Sequence, residues 1–296
     1  MAGSGATDAE DRTVLAVDIG GTKMAAAIVS GSGEVLWKDR RATPVGAGSE
    51  ELWSTVDSLI SATPSRFRPV ACGVGSGGPM SRGGEFVSPL NIPGWRDFPL
   101  RQRIASRTGL PVWVDNDAKA LALAEGWIGA ATGRRDFIAM VVSTGVGGGI
   151  VADGRLLDGS TGNAGHIGHV VVEPGGRQCR CGSRGCLEAE ASGTAIAEIT
   201  GAPPADAAPA VVERSGRLVG RAVGNVANLL DMKLAVVSGS VALGFGRPFF
   251  EAAQAELASV TCLAFSRGCS IQPSSLGPDG PLIGAAAVGW RGVAGG

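Results

Sequence analysis

Net charge, long apolar runs and histidine are all scarce in this chain. Its 26 Lys and Arg nearly balance 27 Asp and Glu over 296 residues, for a formal charge of −1. With no Lys/Arg-rich block either, neither nucleic acid nor an anionic membrane is expected as the main partner. No apolar run approaches the ~18 residues that a transmembrane helix needs. The start lacks the basic-then-apolar pattern of a signal peptide, so a cytoplasmic location is expected. Charged residues make up only 18% and hydrophobic ones 44%, a balance that implies a sizeable core rather than a disordered chain. The length suits one large domain or two lobes of ordinary size. Residues 1–12 read as a flexible tail.

The only two histidines, His166 and His169, fall in Gly165–Glu188 (GHIGHVVVEPGGRQCRCGSRGCLE) with three of the six cysteines. His169, Cys179, Cys181 and Cys186 follow the pattern H-x9-C-x-C-x4-C. Thiolates and a neutral imidazole suit Zn²⁺, which takes four such ligands in a closed tetrahedral site when its role is structural. Gly175, Gly176, Gly182 and Gly185 let the backbone turn several ligands onto one centre. The competing reading is a Gly-rich surface loop with incidental cysteines. Chance rarely gathers both histidines and half the cysteines in one short segment, so a zinc loop over residues 165–188 is expected. Cys72, Cys262 and Cys269 read as buried small hydrophobes. This cysteine usage suits a reducing compartment.

From the N-terminus, Thr13–Asp18 reads as a buried strand, Met24–Ser30 as a second and Glu34–Asp39 as a third, joined by Gly-rich turns. Residues 49–62 carry Leu52, Val56, Leu59 and Ile60 at helical spacing. Val70–Val74 and Leu110–Val114 read as further strands. A shift of 123 positions lays Leu15–Asp18 on Ile138–Val141, Gly20-Gly21-Thr22 on Ser143-Thr144-Gly145, and Ala27–Gly31 on Ile150–Gly154. That distance is too long for a solenoid repeat. It implies two lobes on one topology, unless two Gly-rich hairpins merely coincide. Further on, helices are expected over 192–200, 211–232, 247–264 and 281–290, with a strand over 234–237 that breaks at Ser238-Gly239-Ser240.

Three Gly-rich turns at strand ends could carry phosphate. Asp18, Gly20, Gly21, Thr22 and Lys23 form either a cradle of backbone N–H groups with Asp18 near Mg²⁺, or an ordinary hairpin with a solvated lysine. The G-x4-G-K-[ST] spacing of a Walker loop is absent. Thr144 and Gly145, with the glycines that follow, would let amides approach a β- or γ-phosphate. Gly239 and Ser240 could sit against adenosine. Gly73–Gly78 matches G-x-G-x-x-G, but Pro79 and more glycine follow where a dinucleotide fingerprint opens a helix. The stretch Ser88–Trp95 reads as a loop in which Asn91 and Trp95 suit contact with a polar ring compound. Asp115-Asn116-Asp117 closes a strand and opens the Ala-rich helix 118–126. Any of the three could simply cap that helix. In a functional reading Asp117 is the general base and Asn116 binds substrate.

Taken together, the chain resembles the ROK family of sugar kinases in the actin/hexokinase-like superfamily, from about residue 13 to 292. The likeness rests on DIGGTK (18–23), PLNIPGW (89–95), VDNDAKALALAE (114–125), STGVGGGI (143–150) and above all GHVVVEPGGRQCRCGSRGCLE (168–188). The resemblance implies an α/β, two-lobed, duplicated ribonuclease H-like fold with a zinc-binding loop. A smaller lobe is expected over 13–116, joined by the C-terminal helix 281–292, and a larger one over 117–280. It also implies that the lobes close over sugar and ATP, and that Asp117 deprotonates a sugar 6-hydroxyl. Gly78, Asn91, Asn116, His166, His169 and Glu188 would bind the sugar. Zinc would fix the loop carrying His169 and Glu188, while Asp18, Thr22, Thr144 and Gly145 would face Mg²⁺-ATP. Glucokinase-like members have Glu where this chain has His166, and N-acetylmannosamine kinases can share its A-G-H-I-G-H. An imidazole in place of an acceptor-only carboxylate satisfies different sugar groups, so either glucose or an N-acetylhexosamine fits.

The expected activity is therefore transfer of a phosphoryl group from ATP to a hexose or N-acetylhexosamine. A non-catalytic sugar-binding regulator is the alternative. Regulators of this family carry an N-terminal helix-turn-helix, for which a first strand near Thr13 leaves no room. Polyphosphate could replace ATP, but no extra basic channel is evident. Relatives are commonly dimers or tetramers, and a homodimer or homotetramer is expected.

Overall fold

A computed structural model describes residues 12–295. All of the expected tail except Arg12 lies outside them. In one compact unit (residues up to 128, with 158–163 and 276 onward) five strands form a sheet. They are β1 (Thr13–Ile19), β2 (Lys23–Ser30), β3 (Val35–Ala42), β4 (Ala71–Ser76) and β5 (Val112–Asn116), in the order β3-β2-β1-β4-β5. Helices α1 (Ser49–Ser61), α2 (Leu100–Thr108) and α3 (Asp117–Trp127) belong to this unit, as does the C-terminal helix Gly280–Gly295. The second unit holds β6 (Phe137–Val142), β7 (Val146–Ala152), β8 (Arg155–Leu156), β9 (Leu234–Ser238) and β10 (Ser270–Pro273), in the order β10-β9-β6-β7-β8. Its helices are α4 (Leu187–Ala191), α5 (Gly193–Thr200), α6 (Pro209–Leu230), α7 (Ser240–Phe245) and α8 (Arg247–Val260).

The two sheets have one topology. β1 runs antiparallel to β2 and parallel to β4, and β6 runs antiparallel to β7 and parallel to β9. The outer partners match as well, β3 with β8 and β5 with β10. The repeat in the sequence is thus a repeat of fold. Its register needs one correction. Leu15 pairs with Ile28, so a strict shift of 123 would pair Ile138 with Val151, whereas Ile138 pairs with Ile150. The second turn, Ser143-Thr144-Gly145, is one residue shorter than Gly20–Lys23.

Alternation along β1 explains how the first sheet is covered. Leu15, Val17 and Ile19 join Leu52, Val56, Leu59, Leu100 and Ile104 in a core beneath α1 and α2. Ala16, with Ala25, Ala27 and Val29, faces Leu282, Ala285 and Ala286 of the C-terminal helix. That second face is made of small residues, and backbones meet there. A Cβ placed on Gly73 would lie 2.0 Å from the Ala285 carbonyl oxygen and 2.4 Å from the Gly289 nitrogen. Close approach of this kind requires glycine.

Several boundaries differ from expectation. The strand expected over 110–114 starts two residues later, and the helix expected over 247–264 stops at Val260. The lobe boundary expected at 116/117 is displaced, because α3 packs on the C-terminal helix, with Gly284 against the Ala120 backbone. Residues 158–163 also return to the first unit. Cys72 and Cys269 are buried as expected, but Cys262, two residues past the end of α8, is exposed.

Gly73→Ala is expected to lower stability by about 3 kcal/mol in urea denaturation, since backbone atoms cannot yield to the added methyl. Gly244→Ala in α7, where nothing lies within 4 Å of the new Cβ, is expected to be neutral or slightly stabilising.

Candidate active site and metal centre

In the first unit the candidate residues gather at the carboxyl ends of the parallel strands β1, β4 and β5, the usual ligand-binding edge of an α/β sheet. Asp18 lies near the end of β1 and is 8% exposed. Burial, reinforced by the negative charge of Asp117 and opposed by Lys23, pushes its pKa up to about 7. Beyond it, Gly20 N–H donates to the Lys23 carbonyl (3.0 Å), and Thr43 Oγ1 donates to the Gly20 carbonyl (2.7 Å), pinning the turn. A Cβ on Gly21 would meet Asn91 at 2.9 Å, so this turn and Asn91 are in contact. A Cβ on Gly77 would sit 3.2 Å from Asn91 Oδ1, and one on Gly78 would sit 3.3 Å from Asn116 Nδ2. A Cβ on Gly75 would be 3.8 Å from both Asp18 Oδ1 and the Asp117 Cα. The strand therefore brings Asp18, Gly21, Gly78, Asn91, Asn116 and Asp117 to one edge. Gly73–Ser76 is strand and no α-helix opens directly after it, the next lying at Leu100–Thr108, so the dinucleotide fingerprint is a coincidence of spacing.

Asn116 serves the helix and leaves a donor for other use. Its Oδ1 accepts the Ala118 N–H at 3.0 Å as the N-cap of α3, while its amide nitrogen points toward Gly78. Asp117, the first residue of α3, is exposed and accepts the same Ala118 N–H at 2.8 Å. Asn91 is exposed as well. Trp95 corrects the sequence reading: it is 0% exposed and stacks on Phe98 with ring centroids 4.3 Å apart. Its Nε1–H donates to the Ser49 carbonyl at 3.2 Å. An indole in an apolar core with its one donor satisfied is packing material.

In the second unit the turns after β6 and β9 meet. Ser143 Oγ lies 2.9 Å from Ser240 Oγ, and Thr194 Oγ1 donates to the Thr144 carbonyl at 2.9 Å. Gly239 has φ +103°, and a Cβ there would lie 2.3 Å from the Val142 carbonyl oxygen. Glu188, expected on a loop, stands in the first turn of α4. Its Oε2 accepts the Val146 N–H at 2.9 Å and lies 2.8 Å from the Cβ position of Gly145. One carboxylate oxygen is thus spent on the Gly145-Val146 backbone, and Oε1 is left for other contacts. Gly165 and Gly168 lie directly on β7, with Cβ positions 2.3 Å from the Gly148 carbonyl oxygen and 2.2 Å from that of Val146. His166 is exposed, and its ring centroid lies 6.0 Å from that of His169.

His169, Cys179, Cys181 and Cys186 bring one ligand atom each to within 4.8 Å of one another. Cys179 Sγ lies 3.7 Å from His169 Nδ1, and Cys181 Sγ lies 3.7 Å from Cys186 Sγ. A tetrahedral ion about 2.3 Å from each sulfur sets the sulfurs about 3.8 Å apart, so the spacing fits zinc. Loop hydrogen bonds shape the knuckle: Cys179 N–H donates to Ser183 (2.8 Å) and Gly182 N–H to Cys179 (3.0 Å), with Gly182 at φ +95°. Burial pushes the Cys186 thiol up to about 12. A cation is what would hold it as thiolate, with release of its proton on binding.

The profile of the ROK family matches residues 14–290, nearly the whole chain. Among curated relatives, the glucokinase of Thermotoga maritima is 42% identical over 185 residues, covering 62% of this chain and 58% of that protein. The N-acetylmannosamine kinase of Haemophilus influenzae (strain PittGG) is 37% identical over 289 residues, covering 92% of this chain and 93% of that protein. Among solved structures, a ROK glucokinase from Streptomyces griseus in complex with glucose and AMPPNP has a TM-score of 0.82 at 29% identity, with 94% of this chain and 99% of that one covered. Duplicated sheets, the His-Cys cluster and a family match from residue 14 to 290 agree: this chain belongs to the ROK family.

Proposed function

We propose that the protein is an ATP-dependent sugar kinase that phosphorylates the 6-hydroxyl of a hexose or an N-acetylhexosamine. The observation that carries this reading is the meeting of Asp18, Asn91, Asn116 and Asp117 at one strand edge beside the Gly20-Gly21 turn. Exposed Asp117 accepts the proton of the 6-hydroxyl. The oxygen then forms its bond to the γ-phosphorus as the bond to the β–γ bridging oxygen breaks, and ADP leaves with that electron pair. Asn91, with the Nδ2 of Asn116 near Gly78, orients the sugar, as do His166 and the free oxygen of Glu188. His169 turns Nδ1 toward the cysteine cluster, which leaves Nε2 for a sugar hydroxyl and reconciles its two expected roles. Backbone amides at Gly20, Gly21 and Gly145, the hydroxyls of Thr22 and Thr144, and Lys23 take the phosphates, while Gly239 and Ser240 lie against adenosine.

Asp18 would hold Mg²⁺, which supplies charge neutralisation at the transferring phosphoryl group. The donor set fits: a buried carboxylate whose charged form is disfavoured by a second carboxylate is relieved by a cation. His169 and the three cysteines would hold zinc, which would supply a fixed geometry to the sugar-side loop and no chemistry to the transfer. An imidazole at His166, beside relatives that include N-acetylmannosamine kinases covering 92% of this chain, favours an N-acetylhexosamine over glucose.

An ATP-coupled assay with glucose, mannose, N-acetylmannosamine and N-acetylglucosamine tests this reading, and N-acetylmannosamine is expected to give the highest kcat/KM. Sugar binding without turnover of any of the four would instead indicate a regulator. Asp117→Asn should lower kcat by about 10²–10⁴-fold, the usual contribution of a general base, in a variant that melts like the parent. Asp18→Asn should abolish Mg²⁺-ATP turnover yet stabilise the metal-free protein at pH 8. The sign follows from the raised folded-state pKa: stability contributed by protonated Asp18 is complete below 3.8 and is lost as pH rises toward about 7. Thermal melts at pH 8 and pH 5 should show a larger gain at the higher pH.

A further inference from the structure

Behind the exposed Asp117 lies an ion cluster built on one buried lysine, with no part in the chemistry described above. The Lys119 side chain is 3% exposed, yet it carries an ammonium. Its Nζ lies 2.9 Å from Asp115 Oδ1, 2.8 Å from Asp158 Oδ1 and 3.2 Å from the Gly162 carbonyl oxygen. An ammonium has three N–H donors, and here three acceptors saturate them. Arg291 of the C-terminal helix faces the outer oxygens, at 3.7 Å from Asp115 Oδ2 and 3.2 Å from Asp158 Oδ2. Two cations and two carboxylates thus balance, and the charge buried on Lys119 is compensated by Asp115 and Asp158.

The acceptors come from two pieces of chain. Asp115, next to last in β5, accepts the Asn116 N–H on Oδ1 at 2.8 Å, so its carboxylate fixes the backbone from which Asn116 and Asp117 project. Asp158 and Gly162 belong to a short strap, residues 158–163, that packs in the first unit although the chain on either side of it belongs to the second. The strap's last residue, Asn163, donates Nδ2–H to the Met80 carbonyl at 3.4 Å, two residues from Gly78. Its covalent continuation is Ala164-Gly165-His166.

We propose that Lys119 is a positioning residue of the phosphoryl-transfer site, holding the Asp115-Asn116-Asp117 turn and the 158–163 strap on one ammonium. The proposal rests on the kinase reading. With its donors saturated, Lys119 acts through its neighbours and touches neither sugar nor nucleotide.

The test compares wild type with Asp158→Asn, Lys119→Gln and Lys119→Arg, using steady-state kinetics on the preferred sugar and amide hydrogen exchange of the full-length protein. Asp158→Asn leaves the Lys119–Asp115 pair intact and changes a half-exposed residue, so the fold is expected to survive. It should raise the sugar KM about tenfold, leave the ATP KM within twofold, and speed amide exchange in 159–166 by tenfold or more. Lys119→Gln should show the same exchange signature and also lower kcat about 100-fold, with Lys119→Arg recovering at least a tenth of the parent kcat. Wild-type kinetics and exchange in Asp158→Asn, or in a folded Lys119→Gln, would overturn the proposal while leaving the kinase reading standing. A wild-type protein that phosphorylates no sugar would remove the kinase reading itself, and the two failures are told apart by that control.

Discussion

The second unit depends on one point of convergence, where a ring nitrogen and three sulfurs lie within 4.8 Å of each other. Between His169 and Cys186 the chain has almost no regular structure to hold it. Among the described residues there are two isolated bridges, Val171 with Cys186 and Gln178 with Arg184, and a few turn hydrogen bonds. A segment so rich in glycine loses much conformational entropy when it orders, and a zinc ion held by this cluster would offset that loss. The consequences run outward along the chain. Cys186 is the N-cap of α4, so Glu188 follows within one turn and reaches the Val146 N–H. Glu190, buried in the same helix, closes the loop from the other side by accepting the Arg177 N–H at 2.6 Å and pairing with Arg214 at 2.5 Å.

The first unit reaches its site by a different route, through close packing of small residues. Ala16 and Gly73 allow the Ala-rich C-terminal helix to lie almost on the strand backbone, and Gly284 lets that helix close on Ala120 of α3. That approach brings the start of α3, with Asn116 and Asp117, beside the end of β1, with Asp18. Two carboxylates brought together this way repel, and the raised pKa of Asp18 records that repulsion on top of its burial. In the proposed kinase that repulsion lowers stability at neutral pH in exchange for an edge suited to a cation, a compromise common at functional sites.

Much of this was legible in the sequence. The four ligands stood out because scarce residue types were clustered, and the duplicated topology showed in a shift that aligned two strand–turn–strand units. The shift failed by one residue because turn length is set by local geometry and leaves no mark on strand hydrophobicity. Trp95 looked like a sugar platform because its loop is polar, but burial depends on what packs over a residue, here Phe98 from three positions further on. The helix around Glu188 was missed because five residues are too few for a 3.6-residue period to show. Lys119 gave no signal at all. In sequence it is a lysine in an Ala-rich helix, and the acceptors that bury it lie as far as 43 positions away.

The most direct measurement is the effect of removing metal on sugar and nucleotide affinity. Metal analysis of the purified protein should find about one zinc per chain, and X-ray absorption should show one nitrogen and three sulfur ligands. After stripping with a chelator, the sugar Kd by calorimetry should rise about 10–100-fold, the range typical when the support of a bound group is lost. The Kd for a non-hydrolysable ATP analogue should stay within about twofold, and zinc should restore the sugar affinity. Unchanged sugar affinity in the stripped, folded protein would contradict the claim that the His-Cys cluster sets the sugar side of the site.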